Sequence, residues 1–543
     1  VLFPPPEPTP ADPNAVVSVE GQAVLPTASD DEAAGVANTN AAQAGEPAVD
    51  APRIAIETER LKGSISLLGG RIDELALKDY RVSLEEGAPI VDLLSPIGSD
   101  SPYYALYGWA PGAGLSFEQV PGPNTIWTAQ GNGPLGVDAP VTLTWDNGSG
   151  LQFTREVSVD ADFMFSVTQS VENTGAGTVS LAPYGILARH GEPQNLKNFF
   201  ILHEGVVAMS DGELTEIDYS DMPDFDVNPN EGARAEVTQV AEQGWVGFTD
   251  QYWMTTLIPQ PGAFKATAKY DERRDIYQSE AVLPTQKLAP GETATVNTQL
   301  FAGAKEWETI RNYQKAGVDR FLDSIDWGWF FFLTKPIFAV LHYLNALIDN
   351  MGWAIIGLTL LIKAILFPLA YKSNVSMARM KALQPQMEVI KEKAGDDKQK
   401  LQQEMMALYK KEKVNPVSGC LPILLQIPIF FSLYKVIFVT LELRHAPWLG
   451  WIEDLSAPDP SSILNLFGLL NFMPPEPGSI LAIFSLGILP ILLGISMWMQ
   501  QKLNPAPTDP TQAMIFAWMP WVFMFMLGTF ASGLVVYWIA NNT

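Results

Sequence analysis

The sequence predicts a two-part chain, a soluble β-sandwich followed by an α-helical membrane core that carries a helical hairpin in water. Three observations carry this prediction. First, the 543 residues hold a net charge of −26, and it is unevenly spread. Up to about residue 310 acids outnumber bases by nearly three to one, whereas the remainder is close to neutral and far more apolar. Second, from Ile54 to about Leu300 the pattern is one of short alternating runs such as APVTLTW, QFTREVSVD and TATVNTQLF. Turn clusters such as GNGPLG, DNGSG and ENTGAG bound them, which is the signature of a large sandwich. Third, Met351 to Tyr371 is a nearly unbroken apolar run, and about 20 such residues cross a bilayer as a helix.

Taken in order, residues 1–53 are rich in Ala, Pro, Asp, Glu, Asn and Thr. They bury too little apolar surface to offset the entropy of ordering and are expected to form a disordered linker. The opening Val1, Leu2 and Phe3 are too few to establish a preceding hydrophobic segment. Residues 54–322 are the sandwich, with a closing helix expected from the spacing of Trp307, Ile310, Tyr313, Val318 and Phe321. Residues 323–350 are apolar but interrupted by Lys335, Pro336 and His342, with Trp327, Trp329 and Tyr343 suited to an interface. An amphipathic helix lying on the membrane surface is expected.

Residues 351–543 form the membrane core. Its first helix ends at Tyr371, and a polar segment follows over 372–413 with more Lys and Arg than acid, which the positive-inside rule places in the cytoplasm. Val375, Met380, Leu383, Met387 and Ile390 make one apolar stripe there, and Leu401, Met405 and Leu408 make another. Gly395, Asp396 and Asp397 supply cap chemistry between them, so a helical hairpin is expected. Further apolar segments run from Gly419 to about Leu441, which holds Gln426 and Pro428, from Ser479 to about Met499, and from Ala513 to Thr529. The last, Ser532 to Thr543, is too short to span and is read as truncated.

Within the first membrane helix stands Lys363. Lys372, the next basic residue, is about 13 Å further along the helix, and a lysine stem reaches about half of that. A charge at such depth faces protein or water. Thr359, four residues earlier, shares its helical face. The apolar segments are read as holding no acid to pair with Lys363 and no second charge, so the expectation is a hydrated, positively charged cavity. The single Cys420 rules out an intrachain disulfide and a multi-cysteine metal site, and its default role in an apolar helix is packing. No metal or cofactor is expected, nor direct DNA binding by so acidic a soluble part.

The stretches LQPQMEVIKEKAGDDKQKLQQEMMALYKKEKVNPVSGCLPILLQIPIFFSLY, LELRHAPWLGWIEDLSAPDP and ASGLVVYW resemble the YidC/Oxa/Alb membrane protein insertases, and more closely the Gram-negative YidC type. The resemblance covers almost the whole chain after the linker. It implies a periplasmic β-supersandwich and five membrane helices around a hydrophilic groove open to cytoplasm and lipid. Lys363 takes the place of a basic groove residue that is arginine in most relatives, so the charge is kept and the bidentate fork is lost. Thr359 and Gln426 are implied as polar groove positions, and Tyr537 and Trp538 as aromatics that touch an emerging substrate helix. An N-terminal signal-anchor helix and a basic C-terminal tail, both features of the family, are not within the residues read. The implied function is insertion and folding of nascent membrane proteins in the bacterial inner membrane, alone or with the Sec translocon and its accessory subunits. Ribosome, signal-recognition receptor and lipid bilayer are the other implied partners.

Two rivals remain at this level. A secondary transporter would use Lys363 as its substrate site, but no inverted repeat and no second intramembrane charge is read. A sugar-acting enzyme in the sandwich would use His190 and Glu192 of RHGEP as acid and base. The plainer reading of those two is an ordinary polar loop, and fold alone does not carry function.

Overall fold

The computed structural model describes residues 51–112, 115–131, 133–197, 201–395, 397–412, 421–470, 484–503 and 510–543. Most of the 1–53 linker, Asp396 and Cys420 lie outside them. Two compact units emerge. Of the described residues, one comprises those up to Leu196, His203–Ala304 and Asn312–Ser324, and the other those within Lys197–Leu202, Lys305–Arg311 and Ile325–Thr543.

The first unit is mainly β. Among the described residues, eleven strands form one antiparallel sheet and nine form another. The first sheet is centred on Val179–His190, which pairs with Tyr103–Pro111 on one side and Ile276–Val282 on the other. The second is centred on Thr293–Ala304, between Trp253–Pro259 and Met164–Asn173. Leu151–Val159 alternates strictly between buried and more exposed residues, as a strand with one dry face must. Ile276–Val282 is buried throughout and shows no alternation.

Inner faces of the two sheets are tied by polar as well as apolar contacts. The Tyr103 hydroxyl bonds that of Thr255 across the core. Arg155, fully buried, donates to the carbonyls of Gly69 and Gly70 at 3.2 and 2.9 Å and to that of Tyr107. Its charge is thus met by carbonyl dipoles and by the face of Trp127, 4.5 Å away, without a carboxylate. Burial holds its pKa down at about 10.

The closing helix is shorter than its spacing predicts. Helix α1 runs Trp307–Lys315 and stops where Gly317 takes φ 121°. Phe321 then sits in a separate 3-10 turn, Phe321–Ser324.

The second unit is helical. Helix α2, Phe331–Ile348, buries Thr334, Phe338 and Leu341 on one narrow face. At its end Asp349 adopts the left-handed conformation, and α3, Met351–Ala382, begins two residues later. Helix α3 does not end at Tyr371. It runs eleven residues further, so the first stretch of the expected hairpin, including Val375 and Met380, continues the apolar helix. The hairpin proper is α4, Gln384–Ala394, and α5, Lys398–Lys411, and Pro385 at the start of α4 marks the break. Gly395, at φ 55°, closes α4. The Asp397 carboxylate caps α5 by accepting from Lys400 N–H at 3.0 Å. Leu383, Ala394 and Leu408 are buried, while Met380, Met387 and Met405 are half-buried, and the Tyr409 hydroxyl lies 4.0 Å from Met387 Sδ.

The remaining helices are α6, Leu421–Val439, α7, Ile488–Leu503, α8, Pro510–Met526, and α9, Ser532–Asn542. Helix α3 packs on α2 and α9, α6 packs on α2, and α7 packs on α8 and α9. The loop after α6 caps the starts of several helices. The Leu455 and Ala457 carbonyls accept from Gly533 and Ser532 at the start of α9. Ser461 Oγ and Asp459 accept from Ile488 and Leu489 at the start of α7. Trp448 packs so closely on Gly352 of α3 that any Cβ there would lie 2.1 Å from its ring.

Candidate functional site

Lys363 lies midway along the apolar part of α3 and is exposed. Its ammonium donates to the backbone carbonyl of Asn541 in the last turn of α9, a favourable place for a cation. A carbonyl is neutral, and among the described residues no carboxylate lies within ion-pair distance, so the charge is met by a dipole without being cancelled. Thr359 is on the same face one turn earlier, but it is buried, and its hydroxyl bonds the Ile355 carbonyl at 2.7 Å. It therefore contributes packing and a spent hydroxyl rather than a free polar group.

Around α9 the polar side chains converge. Gln426 of α6 donates its amide to the Tyr537 hydroxyl. Asn542 donates to Ser496 Oγ of α7 at 3.1 Å. Tyr537 is buried, while Trp538 is half-buried and stacks on Phe430 of α6 with ring centroids 4.9 Å apart. Gln426, Tyr537 and Trp538 thus meet at the α6–α9 seam, and Lys363 meets the same helix from α3. Thr359 makes no bond to any of them, and the hairpin residues Met387, Gly395, Asp397 and Met405 belong to α4, α5 and the turn between them. Asn541 and Ser496 escaped the sequence reading because neither has a local spacing signal.

One expectation fails outright. Lys363 is not the only charge in the apolar helices, because Lys435 lies on α6, within the segment Gly419 to Leu441. Lys435 is buried, and its ammonium is bonded to the buried Asp326 carboxylate and to the Ile201 carbonyl. The two lysines thus differ in kind: one is ion-paired, the other is not. Lys435 does not revive the transporter, since its charge is already matched.

In the sandwich, His190 is half-buried, 3.3 Å from the Tyr104 hydroxyl, while Glu192 is exposed. Burial, then the Arg274 and Arg71 charges, lowers the His190 pKa to about 4. Among the described residues no group of His, Cys, Asp and Glu could hold a metal ion.

Among the described residues two helices, α2 and the apolar part of α3, are long and apolar enough to cross a membrane, and together with the β-sandwich they fit the class of membrane proteins that carry a large extramembrane domain. Residues 53–340 match the model of the YidC periplasmic domain, and residues 343–543 that of the 60Kd inner membrane protein. The chain is 68% identical to the membrane protein insertase YidC of Ruegeria pomeroyi over 100% of its length and 90% of that protein. It is 67% identical, with the same coverage, to that of Roseobacter denitrificans. A crystal structure of an active YidC insertase with its first transmembrane domain resolved covers 92% of this chain and 93% of its own, at 18% identity and a TM-score of 0.35. The chain belongs to the YidC family of membrane protein insertases. Its activity is membrane protein insertion, and the sugar-enzyme alternative is not favoured.

Proposed function

We propose that this chain moves nascent membrane proteins into the bilayer through a hydrated groove formed by α3, α6, α7 and α9, with Lys363 as its charge. The observation that carries the reading is that Lys363 sits in an apolar helix, ends on a neutral carbonyl and has no carboxylate partner among the described residues. Water and charge at that depth shorten the hydrophobic barrier for the polar flank of a substrate. The apolar segment then leaves for lipid, where burial of about 20 apolar residues drives the step. Thr359 packs the groove wall, Gln426 and Tyr537 brace it, and Trp538 meets the emerging segment.

In this reading α3, α6, α7, α8 and α9 are the five membrane helices of a multi-pass inner-membrane protein, and α2 lies along its outer surface. The sandwich is periplasmic. Hairpin α4–α5 is cytoplasmic and receives the substrate from the ribosome or the signal-recognition receptor, with the Sec translocon and its accessory subunits as a further partner. The test is photocrosslinking of a ribosome-stalled single-span substrate to probes at positions 363, 426 and 538 in the full chain. Crosslinks at all three support the groove. No crosslink at any of the three, in a chain that remains folded, would refute it.

A further inference from the structure

The Lys435–Asp326 pair has no part in the groove just described, yet it occupies the helix that forms one of its walls. Both side chains are more than nine-tenths buried, at 8% and 9% exposure. The other carboxylate oxygen of Asp326 accepts from Gly328 N–H at 3.1 Å. Gly328 is in the left-handed region at φ 68°, and the Lys435 stem lies over it, 3.3 Å from where a Cβ would stand. Lys435 therefore grips a turn of three residues, Asp326 to Gly328, by charge and by contact. That turn starts α2, since Gly328 accepts from Phe331 N–H at 3.1 Å, and Phe330 stacks on Phe431 of α6 with centroids 6.4 Å apart. The far end of α2 passes through Asp349 directly into α3. Helix α2 is thus held at one end by its covalent link to α3 and at the other by Lys435 of α6.

A buried ion pair is a poor source of stability, because desolvation offsets much of its attraction, and apolar residues in its place are often as stable or more so. In some proteins such a pair instead specifies a single placement of the elements that it joins. We propose that Lys435 is a positioning residue for insertion. Through Asp326 it fixes the start of α2 on α6, and so sets where α6 presents Gln426 and Phe430 to Tyr537 and Trp538. Gln426 lies nine residues before Lys435 on the same helix, about 13 Å along its axis. The functional consequence rests on the groove reading, whereas the placement itself does not.

The experiment uses the full chain in proteoliposomes, with Cys420→Ser and spin labels at Phe332→Cys on α2 and Ile495→Cys on α7. Lys435→Met alone leaves Asp326 buried without its cation and should lower the thermal midpoint. Lys435→Met with Asp326→Leu should restore the midpoint to the parent value or above. It should still insert a single-span substrate about tenfold more slowly and broaden the label-to-label distance distribution. Lys435→Arg should keep both rate and distances. A folded double variant with the parent rate and parent distances would overturn the proposal, as would a double variant that fails to fold, since the pair would then be a matter of stability. A broadened distance with an unchanged rate would uphold the placement and overturn its link to insertion, and with it the groove reading of α6.

Discussion

Replacing Lys363 by glutamine removes one positive charge from an exposed site with no carboxylate partner to be stranded. The Asn541 carbonyl that it leaves is in the last turn of α9 and can turn to water, so the fold should lose at most the worth of one hydrogen bond, roughly 1 kcal/mol. The effect on insertion is separable from this. A substrate carboxylate passing at about 7 Å gains roughly 0.6 kcal/mol from the lysine charge at the dielectric of water and about 2.4 kcal/mol at an effective dielectric of 20. The expected slowing for a substrate with Asp or Glu in its translocated tail is therefore between about 3-fold and about 50-fold. A substrate with a neutral tail should be nearly unaffected, Lys363→Arg should match the parent, and Lys363→Glu should be worst for acidic tails. Initial insertion rates in proteoliposomes, measured for paired acidic and neutral tails at 50 mM and 500 mM salt, read this directly; salt should shrink the difference between tails. Equal slowing of both substrates, or a difference unmoved by salt, would refute an electrostatic role and leave Lys363 as a packing residue.

Other expectations follow from single groups. Glu442, which accepts from Trp307 N–H at 3.3 Å, is pushed up to about 7 by burial and by the neighbouring Glu306 and Glu308. Its folded-state pKa is above its ordinary 4.5, so the helical unit should be most stable below pH 4.5 as far as this group is concerned. That contribution, at most roughly 3 kcal/mol, is lost as pH rises through 7. Glu442→Gln should accordingly raise the thermal midpoint at pH 8 and leave it unchanged at pH 4.5. His190 has the opposite sign: with its pKa lowered to about 4, the sandwich loses stability as pH falls from 6.5 towards 4. His190→Gln should flatten that loss in thermal melts at pH 7 and pH 4.5, and an unaltered acid slope would rule the histidine out. Asp397→Ala removes the cap on Lys400 N–H and should cost the hairpin about 1 kcal/mol, seen as faster amide exchange in α5 with the exchange of α3 unchanged.

The sequence made the sandwich legible where one strand face is dry and the other wet. Leu151–Val159 alternates residue by residue, and so it could be read. Tyr103–Pro111 and Ile276–Val282 lie at the centre of a sheet with both faces covered, where the constraint that writes alternation is missing. Helix α3 was legible as an apolar run but not in its length, because its polar continuation to Ala382 carries no stop before Pro385. The site shows the sharper limit. Lys363 and Lys435 are the same residue in the same kind of helix, and no local pattern tells them apart. What separates them is Asp326, 109 positions from Lys435 and brought to it only by the turn that starts α2. A lone lysine in an apolar run is a site only if the fold withholds a partner, and that is a property of tertiary structure. Hence neutralising Lys363 should change which substrates insert, whereas neutralising Lys435 together with Asp326 should change how fast all of them do. A variant set in which both perturbations gave the same substrate dependence would mean that the two lysines share one role, and the distinction drawn from their partners would fall.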